Sequence, residues 1–116
     1  MGIDLRPNNQ QNQVNTGAKQ LVPIAILGAA GFDPVVDVDV DSVTCRGASP
    51  IGTKFDRTDV NGDGFRDLTL YFRARSLQAP SAVECQDPAA MLTLEGNLIS
   101  TGEPIEGSDH VTWLGC

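Results

Sequence analysis

Nine residues place metal-ligand side chains at a spacing with a chemical reason: Asp59-Val60-Asn61-Gly62-Asp63-Gly64-Phe65-Arg66-Asp67. Oxygens at Asp59, Asn61 and Asp63 recur at alternate positions and can wrap one hard cation. Gly64 permits the sharp turn that follows, the Phe65 carbonyl can turn inward as the next ligand, and Asp67 stands at the ninth position. This is calcium chemistry. Magnesium fits worse, because it gives up its waters reluctantly and takes few protein ligands. Calcium wants about six to eight oxygens and the loop offers about five, so Asp56 and Asp109 are the candidates to complete the shell, with waters. The competing reading is a polar Asx-rich turn, since Asn-Gly and Asp-Gly are common turn dipeptides.

The rear of an EF-hand loop is missing: Leu70 occupies the twelfth position, where a bidentate Glu belongs. The residues after the loop also read as a strand, not a helix. A second, weaker candidate site gathers Asp33, Asp37, Asp39 and Asp41; the alternative there is a solvated face. Catalytic arrangements are not in view. His110 is the only histidine, no Gly-x-Ser-x-Gly elbow is present, and fifteen acids guarantee chance carboxylate pairs. The expectation is a protein that is not an enzyme.

The elements that must hold the loop are strands. Eleven Asp and four Glu outweigh eight Lys and Arg, giving −7 over 116 residues. Nucleic-acid partners, which need a clustered basic face, are not expected. Asp competes with the backbone for hydrogen bonds and favours turns over helices; with twelve Gly and seven Pro the chain reads as all-β with acidic loops. Ile3-Asp4-Leu5-Arg6 alternates as a short edge strand stopped by Pro7. Residues 8–16 form a polar Asn/Gln loop. Leu21–Leu27 is the strongest apolar run, a strand that Pro23 assigns to an edge or a bulge. Phe32-Asp33-Pro34 signals a turn. From Val36 to Asp41 two readings stand: a strand presenting Asp37, Asp39 and Asp41 on one face about 7 Å apart, or a turn before a short strand at 42–46. Residues 67–73 are a period-2 strand with Leu68, Leu70 and Phe72 on one face. Residues 74–90 read as irregular, 91–99 as a strand, 102–104 as a turn and 110–114 as the last strand. About seven to eight short strands in one domain over residues 1–116 make an antiparallel β-sandwich.

Three cysteines leave one over if a disulfide forms. A terminal thiol has little structural purpose unless tied down, so Cys85–Cys116 is one reading. The other is three reduced cysteines with Cys45 buried as a small hydrophobe. No apolar run reaches bilayer length, so membrane insertion is not expected. Met1-Gly2 reads as a start added to a trimmed mature domain, so the lack of a leader does not argue for the cytoplasm.

Taken in order, Ile3-Asp4-Leu5-Arg6-Pro7, Val22-Pro23-Ile24-Ala25-Ile26-Leu27-Gly28, Phe32-Asp33, Asp59-Val60-Asn61-Gly62-Asp63-Gly64 and Glu106-Gly107-Ser108-Asp109 resemble a β-sandwich module recurring in secreted multidomain proteins of bacteria and archaea. Its pattern runs I-D-I-K-P-G, V-P-V-A-I-L, F-D, D-V-N-G-D-G-x-x-D-L and E-G-S-D, and the likeness spans nearly the whole chain. Arg6-Pro7-Asn8 departs from the Lys-Pro-Gly of the pattern, and Cys45 has no counterpart in it, which leaves the disulfide assignment open. The resemblance implies an immunoglobulin-like or cohesin-like sandwich with an inserted calcium loop, ligands at Asp59, Asn61, Asp63 and Asp67, and Cys85 paired with Cys116. It further implies a secreted or cell-surface accessory domain with a structural, adhesion or assembly role. Two alternatives stand beside it. One is a carbohydrate-binding module with Trp113 or Tyr71 as stacking platform, its partner a polysaccharide. The other is a self-assembling filament or surface-layer subunit whose edge strand Ile3–Arg6 pairs with a neighbouring domain or a second copy.

Overall fold

A computed structural model of the chain describes residues 1–7, 11–52 and 55–116. The stretch 8–10 of the polar tract, and with it the Asn8 departure, lies outside the described residues, as does Thr53 at the end of the loop after Gly47. The chain is all-β with few helical residues. One sheet has the order β1 (Ile3–Leu5), β3 (Leu21–Ile26), β6 (Leu68–Arg73), β5 (Phe55–Asp56), antiparallel throughout. A second sheet has β4 (Val38–Cys45), β7 (Met91–Leu98) and β8 (Pro104–His110), also antiparallel. A short pair, β2 (Gln13–Val14) with β9 (Thr112–Trp113), is parallel, against the antiparallel expectation for the closing strand.

Period-2 alternation builds the core. Val22, Ile24 and Ile26 of β3 stand opposite Phe72, Leu70 and Leu68 of β6, and all six are buried. The second sheet contributes Val38, Val43, Cys45, Leu92 and Leu94 to the same apolar cluster. Each fully buried aliphatic or aromatic side chain stabilises by about 1.5–3 kcal/mol, so the scarcity of aromatics is offset by many Val, Leu and Ile.

Strand β2 lies inside the expected 8–16 loop, with Val14 fully buried, and four other elements differ from expectation, each for a local reason. Strand β3 is central, not an edge, although it carries Pro23. The Pro23 carbonyl accepts from Arg6 N at 2.8 Å, so this residue faces the β1 side just where β1 ends, and no ladder donor is needed there. The Val36–Asp41 stretch follows neither reading fully. Asp33 caps a helical turn α1 (Pro34–Asp37), accepting from Val35 N at 3.1 Å with Pro34 at the first position, and β4 then starts at Val38. The 74–90 segment contains a 3-10 turn at Ala74–Ser76 and α2 (Ala82–Gln86). Helix α2 opens on a capping box between Ser81 and Glu84, a signal present in the sequence as S-x-x-E. Finally, β8 runs through Glu106-Gly107-Ser108-Asp109 itself, and the strand expected at 110–114 contracts to Thr112–Trp113.

The C-terminus is tied back. Cys85 and Cys116 form a disulfide, 31 residues apart in sequence, while Cys45 is a buried free thiol. Burial pushes the Cys45 thiol up to about 12, so it is chemically quiet.

Candidate metal loop between β5 and β6

The connection from Asp56 to Leu68 is folded by its own side chains. Asp59 accepts from Gly62 N at 3.0 Å and from Gly64 N at 2.9 Å. Asp63 accepts from Phe65 N at 2.9 Å, and Asn61 from Asp63 N at 3.4 Å. Gly64 has φ 89°, a left-handed conformation that a Cβ would strain. Donated amides, that of Gly64 foremost, hold the Asp59 carboxyl below its ordinary range; partial desolvation opposes them, and the amides of Gly62, Asn61 and Asp63 add to the lowering.

Asp67 anchors the loop. It is fully buried, and its two carboxylate oxygens accept from Gly28 N at 2.7 Å and Val60 N at 2.7 Å. One side chain thereby joins the end of β3 to both ends of the loop. Gly28 is needed at this junction: a Cβ there would lie 2.2 Å from the Arg66 carbonyl oxygen. Arg66 adds a second tie, an ion pair with Asp33 at 2.6 Å. Its hydrogen bond is the main reason the Asp33 carboxyl lies below the usual range, with the Val35 amide adding to it.

Carboxylate oxygens of Asp59, Asp63 and Asp67 lie within 4.8 Å of one another. Each oxygen that accepts one amide keeps a further lone pair, so the group is chemically able to hold a hard cation. Asn61 lies within the same turn, and Phe65 is exposed beside it.

Other residues singled out by sequence go elsewhere. Asp56 accepts the Tyr71 hydroxyl, which raises the Tyr71 pKa. Asp109 accepts from Leu5 N at 2.9 Å and from Asn12 Nδ2 at 3.2 Å, pinning β8 to β1. Neither belongs to the converging group. Asp33, Asp37, Asp39 and Asp41 are not gathered either. Asp37 accepts from Asp33 N at 2.8 Å and Asp39 from Asp41 N at 3.2 Å, each serving nearby backbone, with a helical turn and a register shift in β4 separating them. Among the described residues no second group of three converging acids occurs.

Two surface roles read from the sequence meet obstacles. Trp113 is 7% exposed and the Arg46 guanidinium lies 4.8 Å from its ring centroid, so its face is occupied. The outer edge of β1 is covered where Leu5 N donates to Asp109, which removes a donor that an added strand would use. Sequence reading missed Asp4, whose carboxyl is raised by partial burial, then by Asp109 and Asp67; only the β1–β3 register brings it near. It also missed the Asp33–Arg66 pair, for which no local signal exists.

No family model matches the chain, and comparison with curated proteins and with solved structures gives no match.

Proposed function

We propose that the chain is a non-catalytic, extracellular β-sandwich module in which calcium rigidifies the 59–67 loop, serving a structural, adhesion or assembly role. The observation that carries this reading is the convergence of Asp59, Asp63 and Asp67 oxygens within 4.8 Å, at the D-x-N-x-D-G spacing that calcium loops use. One apolar cluster shared by the two larger sheets supports the sandwich, and the Cys85–Cys116 disulfide supports an oxidising, secreted setting. The loop sits on buried Asp67, so an ion bound to Asp59 and Asp63 would be coupled directly to β3 and β6.

The test is calorimetric calcium titration with thermal unfolding in metal-free buffer, on the native chain and on Asp63→Ala. Asp63 is exposed and accepts one exposed amide, so its loss changes metal-free stability by about 1 kcal/mol or less. Calcium at a hundredfold excess over Kd stabilises the native chain by about 2.7 kcal/mol and leaves the variant unmoved. No heat and no shift in melting temperature on the native chain would reduce the motif to an ordinary turn.

A further inference from the structure

The acidic chain has a cationic end. Lys19, Arg73 and Arg75 line one cavity of about 340 Å³, together with Ala18, Gln20 and Leu21. It sits where Leu21 at the start of β3 pairs with Arg73 at the end of β6. A smaller cavity lined by Arg6 shares Gln20 with it.

Elsewhere, three cations among the described residues are occupied. Arg46 pairs with Glu84 at 2.8 Å, Arg66 pairs with Asp33, and Arg57 lies over the Phe55 ring at 4.7 Å. Among the described residues, Lys19, Arg73 and Arg75 have no carboxylate partner, although acids outnumber bases fifteen to eight. Arg75 is partly positioned already, its Nε–H donating to the Gly17 carbonyl at 3.4 Å, which leaves its terminal nitrogens available. Three cations gathered without a counter-charge repel one another; an oxyanion among them relieves that repulsion and accepts from planar guanidinium forks.

We propose that this cavity is an anion-binding site that takes a single carboxylate or phosphate group carried on a short apolar stem. Ala18, Leu21 and the aliphatic parts of Lys19, Arg73 and Arg75 provide the apolar surface for the stem. Three cations match one oxyanion and are too few to track a nucleic-acid backbone, which would need a longer row. The site is independent of the calcium loop and does not rest on it.

The test is titration of the full chain with hexanoate and with inorganic phosphate, followed by NMR shifts of backbone amides at low salt in metal-free buffer. The expected result is saturable millimolar binding with shifts centred on 18–21 and 73–75, weakened about tenfold in Arg73→Gln/Arg75→Gln. Arg57→Gln, which removes one positive charge elsewhere where the double variant removes two, changes it less than twofold. Sedimentation of the native chain and the double variant distinguishes the sources of the oxyanion. Self-association lost in the double variant assigns the group to an acidic side chain of a second copy; a monomer in both, with saturable titration, assigns it to a free anion. Shifts spread over every cation, equal loss in Arg57→Gln, or no saturation would overturn the proposal.

Discussion

Two surface segments of this protein are held in opposite ways. The 59–67 loop is wound by bonds spanning two to seven residues: Asp63 to Phe65, Asp59 to Gly62 and Gly64, Asp67 to Val60. Only its far end, through Asp67 and Arg66, reaches distant Gly28 and Asp33. The C-terminal segment is organised by partners far away in sequence. Cys116 is bonded to Cys85, Trp113 lies under Arg46, and β9 pairs in parallel with β2. The loop buries little apolar surface of its own, the C-terminal segment buries Trp113 in the core, and each is also fastened by a non-hydrophobic device. A locally wound loop keeps its shape at little chain-entropy cost but stays weak. A long-range clasp is strong because closing it removes freedom from the unfolded chain.

The largest break in that comparison is removal of the clasp. Cys85→Ala/Cys116→Ala opens a link spanning 31 residues and costs about 3–4 kcal/mol. Denaturant unfolding reads the loss, and Trp113 emission shifts to the red as β9 loosens. The shape of the 59–67 loop, read from its amide shifts, is unchanged, because the two fasteners share no residue.

Next comes the anchor of the loop. Asp67→Ala leaves the Gly28 and Val60 amides without an acceptor, at a cost of about 2–4 kcal/mol even with metal chelated. Asp67→Asn restores part of this. An Asp67→Ala variant as stable as the native chain in chelator would show that the loop is not fastened through this side chain.

The free cysteine separates the clasp from the core. The Cys45 thiol is raised by burial to about 12, whereas unfolded thiols titrate near 8.5. Its contribution is therefore intact below about pH 8.5 and is lost progressively as pH rises toward 12. At about pH 9.5 the loss is about 1 kcal/mol, read as a falling melting temperature that Cys45→Ala no longer shows. The smallest effect belongs to Arg66→Gln. The pair with Asp33 is exposed and screened by solvent, so the melting temperature barely moves, while NMR titration would find the Asp33 carboxyl moved up toward its ordinary value.

The same contrast explains what could be read in advance. The candidate metal ligands Asp59, Asn61 and Asp63 and the turn at Gly64 are local in sequence, and their pattern is legible there. So were the apolar faces of β3 and β6, because alternation in Leu68–Phe72 reports burial directly. Asp56 and Asp109 are candidates only because the loop leaves a calcium shell short of oxygens, and nothing local shows that Tyr71 and Leu5 claim them. Helix α2 was missed although Ser81 and Glu84 spell its cap, because five residues give no helical period to detect.

By itself the sequence determined an all-β chain, one converging acid motif and a strand-poor stretch around residues 74–90, since these follow from propensity, spacing and alternation. Tertiary structure alone decided that Pro23 lies in a central strand, that β9 runs parallel to β2, and that Asp67 joins the loop to Gly28. It also decided that Lys19, Arg73 and Arg75 meet around one cavity. The reason is common to all four. Strand order and register bring together residues far apart in the chain, and no local preference encodes which distant strand a segment will meet.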